Sequence, residues 1–166
     1  RKGYFGTGAE GNCGECPNGT YKDEKGDALG CDPCPAGAAS RTGSTTRDQC
    51  SCPDGTVLLD DACVCTKGFN GSGDDGTCIE CPLGYFKDAE GDSLACTPCE
   101  ALLGTGASTL QVAATTQDSC VCRSAFYRDD DGQCQPCPMG ASCNGGPLQS
   151  IRLEPGYWRF KEDSSR

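Results

Sequence analysis

The sequence predicts a small disulfide-rich fold: a linear rod of cysteine-rich loops with short β-hairpins, little or no helix and no large core. Two counts lead to this prediction. The 166 residues include 17 Cys and 24 Gly, whereas Leu, Ile, Val and Phe together number only 21. A chain with so few aliphatic side chains cannot bury a sizeable core, and covalent cross-links are the usual substitute.

The composition also excludes several functions. A net charge of −10 disfavours nucleic acid and anionic membranes as partners. The absence of histidine removes Ser-His and Cys-His nucleophiles, and no apolar run is long enough for direct membrane insertion. We therefore expect no catalytic residues, and an extracellular or cell-surface location because this cysteine density is typical of oxidising compartments.

An internal repeat organises the chain. Shifting the sequence by 65 places residues 1–34 on 66–99 with 18 of 34 positions identical. The match resumes at an offset of 70, so the second copy carries a five-residue insertion between Cys99 and Cys120. We expect a first unit at 1–65 with a truncated start, a second at 66–122, a partial third at 123–143, and a cysteine-free aromatic tail or junction at 144–166.

The cysteines form tight doublets except for Cys143, which stands alone, and linking the second member of each doublet to the next cysteine predicts a serial disulfide ladder. A crossed pattern remains open between Cys50 and Cys65. The expected pairs are Cys16–Cys31, Cys34–Cys50, Cys52–Cys63, Cys65–Cys78, Cys81–Cys96, Cys99–Cys120, Cys122–Cys134 and Cys137–Cys143.

Cys13 is left over by this arrangement. The position before Arg1 aligns with Cys65, the expected partner of Cys78, and Cys78 is the repeat equivalent of Cys13. We expect the partner of Cys13 to lie immediately upstream, which makes the chain a fragment of a longer array. A free or intermolecular Cys13 is the alternative.

Short-range signals support the loops. Glycine stands three residues after most opening cysteines, where it permits a turn with positive φ, and an aromatic residue that often follows is expected to lie across the disulfide. Two sequons, Asn18-Gly19-Thr20 and Asn70-Gly71-Ser72, are candidate glycosylation sites in Gly-rich turns.

Metal sites are the rival interpretation. Cys13-x2-Cys16-x14-Cys31-x2-Cys34 has the spacing of a four-thiolate zinc site, but the interleaved Cys-x-Cys doublets and the sequons oppose it. We therefore expect no metal ligands and no cofactor, with Ca²⁺ as the alternative. The acidic clusters that could hold it are more simply turn residues; they are Asp23-Glu24 with Asp27, Asp74-Asp75, Asp88 with Glu90 and Asp92, and Asp129-Asp130-Asp131.

The pattern Cys-x-x-Cys-Pro-x-Gly-x-Tyr…Gly-Asp…Cys-x-Pro-Cys…Thr-Thr-x-Asp-x-Cys-x-Cys resembles ephrin-receptor-like cysteine-rich repeats, which are related in style to TNF-receptor modules. Cys63-Val-Cys65-Thr-Lys-Gly-Phe…Cys78 is similar to the C-terminal half of an EGF-like module. The resemblance covers residues 1–143. It implies an elongated, non-enzymatic region of a large secreted or membrane glycoprotein.

We therefore expect an extracellular structural module, a spacer or building block of a cell-surface or fibrous glycoprotein, including a polymeric one. Its partners are then other segments or copies of the same large protein. The alternative is a receptor ectodomain that binds a protein ligand along the rod. For the tail, in which Ile151, Leu153, Tyr157, Trp158 and Phe160 are concentrated, a hydrophobic cap is favoured over a junction with a neighbour.

Overall fold

The computed structural model describes residues 1–7, 11–26, 30–92 and 94–157. Asp27, Trp158 and Phe160, which entered the sequence interpretation, lie outside these ranges. Within these ranges the fold is small and disulfide-rich, as predicted, with eight disulfides, paired two-stranded hairpins, almost no helix and no large core. Among the described residues, no helix is both long enough and apolar enough to cross a bilayer.

The strands form antiparallel pairs of consecutive elements. In chain order these are β1 (Tyr4–Phe5) with β2 (Gly14–Glu15), β3 (Thr20–Tyr21) with β4 (Asp32–Pro33), β5 (Thr56–Leu59) with β6 (Ala62–Cys65), β7 (Phe69–Asn70) with β8 (Ile79–Glu80), β9 (Tyr85–Phe86) with β10 (Thr97–Pro98), β11 (Ala107–Thr109) with β12 (Cys120–Cys122), β13 (Phe126–Arg128) with β14 (Cys134–Pro136), and β15 (Ala141–Ser142) with β16 (Arg152–Leu153).

The helical elements are short. α1 (Glu100–Leu103) makes one turn, and 3-10 turns occur at Arg47–Gln49, Gln117–Ser119 and Leu148–Ser150. At the first of these turns, Gln49 Oε1 accepts a hydrogen bond from the Thr46 N–H at 3.2 Å, so a Thr-x-x-Gln capping box fixes its start.

The repeat is visible in the strand registers. Tyr4 lies opposite Glu15 as Phe69 lies opposite Glu80, and Thr20 lies opposite Pro33 as Tyr85 lies opposite Pro98. Both comparisons use the offset of 65 found in the sequence. The two copies therefore share their hairpin geometry as well as their residues.

The structure also locates the insertion in the second copy. Ala39 bridges Ser51 in the first copy as Ser108 pairs with Val121 in the second, so the offset has already grown from 65 to 69 before β11. Four of the five inserted residues therefore belong to the segment containing α1. The remaining residue lies in the turn after β11, where Ala113 has a positive φ of 54°.

By its contacts the chain divides into two compact units. One comprises residues 1–80 with 89–95, and the other comprises 81–88 with 96–166. In the first unit Cys16, Cys63 and Cys65 are completely buried, so sulfur rather than aliphatic carbon fills its interior. This explains how a chain with so few aliphatic residues can still exclude water from its centre.

The second unit contains a small cluster around buried Phe86. Its other buried members are cysteine and alanine residues, with Leu103 and Phe126 packed against them. The neighbouring aromatic Tyr85 is 39% exposed. Only one of two consecutive aromatic residues can face inward on a strand, because successive side chains point to opposite faces. The remaining buried members are Cys99, Ala107, Ala114, Cys120, Cys122 and Cys134.

Candidate functional site

The disulfides follow the order of the predicted ladder, including the region between Cys50 and Cys65 where a crossed pattern was open. Their Cα–Cα distances lie between 5.4 and 5.8 Å, inside the usual range for disulfides. The pairs are Cys16–Cys31, Cys34–Cys50, Cys52–Cys63, Cys65–Cys78, Cys81–Cys96, Cys99–Cys120, Cys122–Cys134 and Cys137–Cys143. Within the described parts of the chain, Cys13 is the free cysteine, and it is exposed.

A recurrent turn opens the loops. After Cys16, the Thr20 N–H donates to the Pro17 carbonyl at 3.2 Å, and Gly19 has a φ of 77°. After Cys81, the Tyr85 N–H donates to the Pro82 carbonyl at 3.1 Å. The Pro-x-Gly sequence thus reverses the chain directly after the cysteine: the proline carbonyl accepts the bond that closes the turn, and the glycine at the third position of the turn accepts a positive φ.

The Gly91-Asp92 pair holds two segments of backbone together through hydrogen bonds. One carboxylate oxygen of Asp92 accepts the Cys65 N–H at 2.7 Å, and the other accepts the Gly73 N–H at 2.9 Å. The Gly91 N–H in turn donates to the Cys65 carbonyl at 2.9 Å. We call this set of three hydrogen bonds the Asp92 clamp. It fastens a turn of the second copy onto the backbone that surrounds the Cys65–Cys78 disulfide.

The same place carries a cluster of metal-ligand atom types. The two sulfur atoms of Cys65 and Cys78 and an Asp92 carboxylate oxygen lie within 4.8 Å of one another. The sulfurs are joined to each other and therefore are not thiolate ligands. Both carboxylate oxygens are already held by backbone N–H groups. The geometry therefore fits a backbone clamp rather than a zinc or calcium site.

Two other aspartates stabilise turns by hydrogen bonding. Asp75 accepts the Thr77 hydroxyl at 2.6 Å and the Thr77 N–H at 3.1 Å, and these bonds hold the pKa of Asp75 below its usual range. Asp129 accepts the Gln135 side-chain amide at 2.8 Å and the Gln133 N–H at 2.7 Å, which likewise lowers its pKa. Both carboxylates therefore stabilise local turns through hydrogen bonds.

Two lysines are buried, and sequence reasoning missed them. Lys22 is 3% exposed and Lys87 is 2% exposed. The Lys22 ammonium donates to the carbonyls of Gly26 at 2.9 Å and Tyr4 at 3.1 Å. The signal was present, because lysine follows an aromatic residue at the same position of both copies. Each copy thus buries a lysine directly after this aromatic position.

The two sequons have different surroundings. Asn18 is exposed in the turn after Cys16, and the Thr20 hydroxyl of its sequon donates to the Pro17 carbonyl at 2.7 Å. Asn70 is half-buried at the end of β7 rather than in an open turn, and it pairs with Ile79. Glycosylation at both positions stays a prediction, with Asn18 the more accessible of the two.

One groove on the described surface brings no nucleophile and base together. A groove of about 420 Å³ in the first unit is lined by small and polar side chains. Its polar groups are hydroxyls, one amide and one guanidinium, and none has the arrangement of a nucleophile with a neighbouring base. The lining residues are Ala39, Ser40, Arg41, Ser44, Gln49 and Ser51.

Each small loop is closed by a disulfide, and hairpins and hydrogen-bonded turns stand in place of a core. These features define an extracellular-type cysteine-rich repeat module. Known proteins give the same result. The chain belongs to the family described as tyrosine-protein kinase ephrin type A/B receptor-like, whose profile matches residues 3–50 and 68–120. These two ranges fall on the two copies of the repeat.

Individual relatives carry related modules. Cysteine repeat modular protein A of Toxoplasma gondii is 38% identical over 112 residues, which are 64% of this chain and 3% of that protein. Signal peptide, CUB and EGF-like domain-containing protein 2 of Homo sapiens is 30% identical over 145 residues, which are 84% of this chain and 13% of that protein.

A receptor is also among the similar proteins. Ephrin type-B receptor 4a of Danio rerio is 33% identical over 90 residues, which are 54% of this chain and 8% of the receptor. The chain therefore spans only a small part of the length of the relatives it matches. Their names are those of cysteine-repeat, EGF-like and receptor-type proteins.

Proposed function

We propose that the chain is a non-enzymatic structural module, a spacer or building block of a large cell-surface or fibrous extracellular glycoprotein. The observation that carries this proposal is the serial ladder, in which each disulfide from Cys16 to Cys143 joins one doublet to the next cysteine along the chain. Such a series makes the shape of each loop independent of any ligand. The cysteine repeat modular proteins among the relatives support the same role.

The polar chemistry of the loops supports this proposal. The carboxylates of Asp75, Asp92 and Asp129 are used by the chain's own backbone and side chains. Among the described residues, every buried side-chain nitrogen and oxygen has a hydrogen-bond partner. A binding or catalytic site usually presents polar groups that are free to form hydrogen bonds with its ligand. We accordingly take other segments or copies of the same large protein as the partners.

A receptor ectodomain that binds a protein ligand is the second candidate, and one observation favours it. The β5–β6 hairpin exposes two consecutive leucines, with Leu58 47% and Leu59 42% exposed. Adjacent exposed aliphatic side chains are common in protein interfaces. The similarity to ephrin receptors supports this candidate as well.

The spacer role and the receptor role predict different effects of substitution. In the protein that carries this module, a Leu58→Ser/Leu59→Ser variant should leave surface display and assembly unchanged if the module is a spacer. A Cys81→Ser/Cys96→Ser variant should impair both. If the leucine variant abolishes binding of a discrete protein ligand while folding is intact, the receptor role replaces our proposal. Leu110→Ser, which changes a side chain that is 85% exposed, is the matched control.

A further inference from the structure

The cysteine-free tail repeats a backbone contact found at two disulfide-bonded positions. In each case a glycine carbonyl in one loop accepts the N–H of the residue that opens the next loop. The glycine is also followed by the first residue of a hairpin strand. The three pairs are Gly55 with Thr66 at 3.0 Å, Gly106 with Arg123 at 2.9 Å, and Gly140 with Glu154 at 2.9 Å.

An aromatic residue completes the contact at all three places. Its N–H donates a hydrogen bond of 3.1 Å to the carbonyl of the residue three positions earlier, which closes a turn at each place. Its ring lies over the glycine. A Cβ on Gly55 would lie 3.1 Å from the Phe69 ring, and a Cβ on Gly106 or Gly140 would overlap the aromatic ring. Glycine is therefore required by the ring as well as by the turn. The ring over Gly106 is Phe126, and the ring over Gly140 is Tyr157.

Strand register then aligns the tail with the cysteine doublets. Cys65 pairs with the residue after Gly55, Cys122 with the residue after Gly106, and Leu153 with the residue after Gly140. Leu153 therefore occupies the position of the second cysteine in a doublet. Two residues earlier, the doublet cysteines Cys63 and Cys120 correspond to Ile151.

The 3-10 turns give an independent alignment. The turn Gln117–Ser119 directly precedes Cys120, and the turn Leu148–Ser150 directly precedes Ile151. The N–H groups of Ser119 and Ser150 close these turns at 3.2 and 2.8 Å. Ile151-Arg152-Leu153 thus takes the place of Cys-x-Cys in both the strand and the turn that leads into it.

This alignment accounts for the pairing of Cys137. Its N–H donates to the Ala125 carbonyl at 2.8 Å, as the Cys99 N–H donates to the Gly84 carbonyl at 2.7 Å. Cys99 pairs with Cys120 across 21 positions, whereas Cys137 pairs with Cys143 across only 6. The residue that corresponds to Cys120 is Ile151, which offers no sulfur.

We propose that residues 138–157 complete the third copy of the repeat, in which Ile151 and Leu153 occupy the doublet positions and Cys137 has been re-paired with Cys143. As far as Tyr157, the tail is then neither a cap nor a separate junction but a continuation of the array, held by backbone hydrogen bonds and by the Tyr157 ring over Gly140. This assignment does not depend on whether the module is a spacer or a receptor.

Restoring the cysteine tests the proposal. In a Cys143→Ser/Ile151→Cys variant of the whole chain, non-reduced peptide mapping should find Cys137 linked to the cysteine introduced at position 151, and one free thiol. The matched control is Cys143→Ser/Gln149→Cys, which places the new cysteine on an exposed residue of the preceding 3-10 turn. The control should leave Cys137 unpaired. An unpaired Cys137 in the first variant, or equal pairing in both, would overturn the assignment.

A second measurement needs no substitution and decides the matter if the variants fail to fold. Hydrogen exchange of the unmodified chain should protect the Glu154 and Tyr157 amides to within about tenfold of the Arg123 and Phe126 amides, because the bonds are equivalent. Exchange of the Glu154 and Tyr157 amides at the rate of an unfolded chain would refute a folded repeat loop at residues 138–157.

Discussion

The Asp92 carboxylate accepts a hydrogen bond from the backbone N–H of Cys65 at 2.7 Å, although the two residues are 27 positions apart. This contact joins a turn of the second copy to the end of β6. A carboxylate that receives two backbone N–H groups can hold two segments together without any apolar side chain. In a chain with so few aliphatic residues, this kind of contact takes over part of the role of a hydrophobic core.

Removing the Asp92 carboxylate should reduce the stability of the fold. In Asp92→Ala the N–H groups of Cys65 and Gly73 both lose their acceptor, and we expect the free energy of unfolding to fall by about 2–4 kcal/mol. Asp92→Asn keeps one carbonyl acceptor and should lose less. Urea unfolding with the disulfides intact measures both effects. Glu90→Ala, a neighbouring change outside the clamp, should stay within about 0.5 kcal/mol of the parent.

The buried lysines should resist replacement by an apolar side chain. Lys22→Met retains the length of the side chain but leaves the Tyr4 and Gly26 carbonyls without their donor. We expect a loss of about 1–3 kcal/mol in thermal or urea unfolding. Lys25→Met changes an exposed lysine three residues away and should be nearly neutral. Equal stability of the two variants would show that Lys22 is buried without contributing.

The glycine under an aromatic ring should be sensitive to a single methyl group. Gly106→Ala forces a positive φ of 92° on alanine and overlaps the Phe126 ring. Together these effects should cost about 2–4 kcal/mol. Gly30→Ala is the control, because its Cβ would meet nothing within 4 Å. Adding Phe126→Ala to Gly106→Ala should cost less than the sum of the two single changes, since the overlap disappears.

Acid should loosen two turns. The folded pKa values of Asp75 and Asp129 are lowered by their hydrogen bonds. Their stabilisation is therefore complete above the unfolded value of about 3.9 and is lost as the pH falls through the folded pKa. We expect a lower midpoint of unfolding at pH 2 than at pH 5. Asp75→Asn/Asp129→Asn should flatten this dependence, and an unchanged slope would assign it to other groups.

Thiol chemistry should find one reactive cysteine. Cys13 is exposed and unpaired in the described part of the chain, so when residues 1–166 are produced alone, a maleimide reagent should modify one thiol per molecule both before and after denaturation without reductant. Non-reduced peptide mapping should join Cys16 to Cys31 and Cys81 to Cys96. Release of several thiols on treatment with a chelator would instead indicate a zinc site.

The sequence was informative where the contacts are local. Doublet spacing and the Pro-x-Gly turns after Cys16 and Cys81 predict loops, hairpins and the lack of a core, because each loop is closed within about 20 residues. The disulfide-rich fold and the resemblance to ephrin-receptor-like repeats were confirmed.

The contacts that sequence reasoning missed join distant segments. The recurrence of lysine after an aromatic residue marks Lys22 as a repeated position, but it does not identify the carbonyl of Tyr4, 18 positions away, as the partner of its ammonium. Lysine is also usually exposed. Gly91-Asp92 looks like a turn, and its partner Cys65 is fixed only by folding. The aromatic residues were expected across the disulfides, but Phe126 lies over Gly106 because the side-chain-free backbone there leaves room for a ring.

The ladder also determines how the chain transmits a pulling force. The shortest covalent path enters each loop at one cysteine and leaves at its partner, so it runs through the sulfur atoms and the short doublets and bypasses the loop residues. The loop between Cys99 and Cys120 is five residues longer than the one between Cys34 and Cys50, yet the Cα atoms are 5.5 and 5.7 Å apart. The length of a loop can therefore vary without lengthening the covalent path through the disulfides.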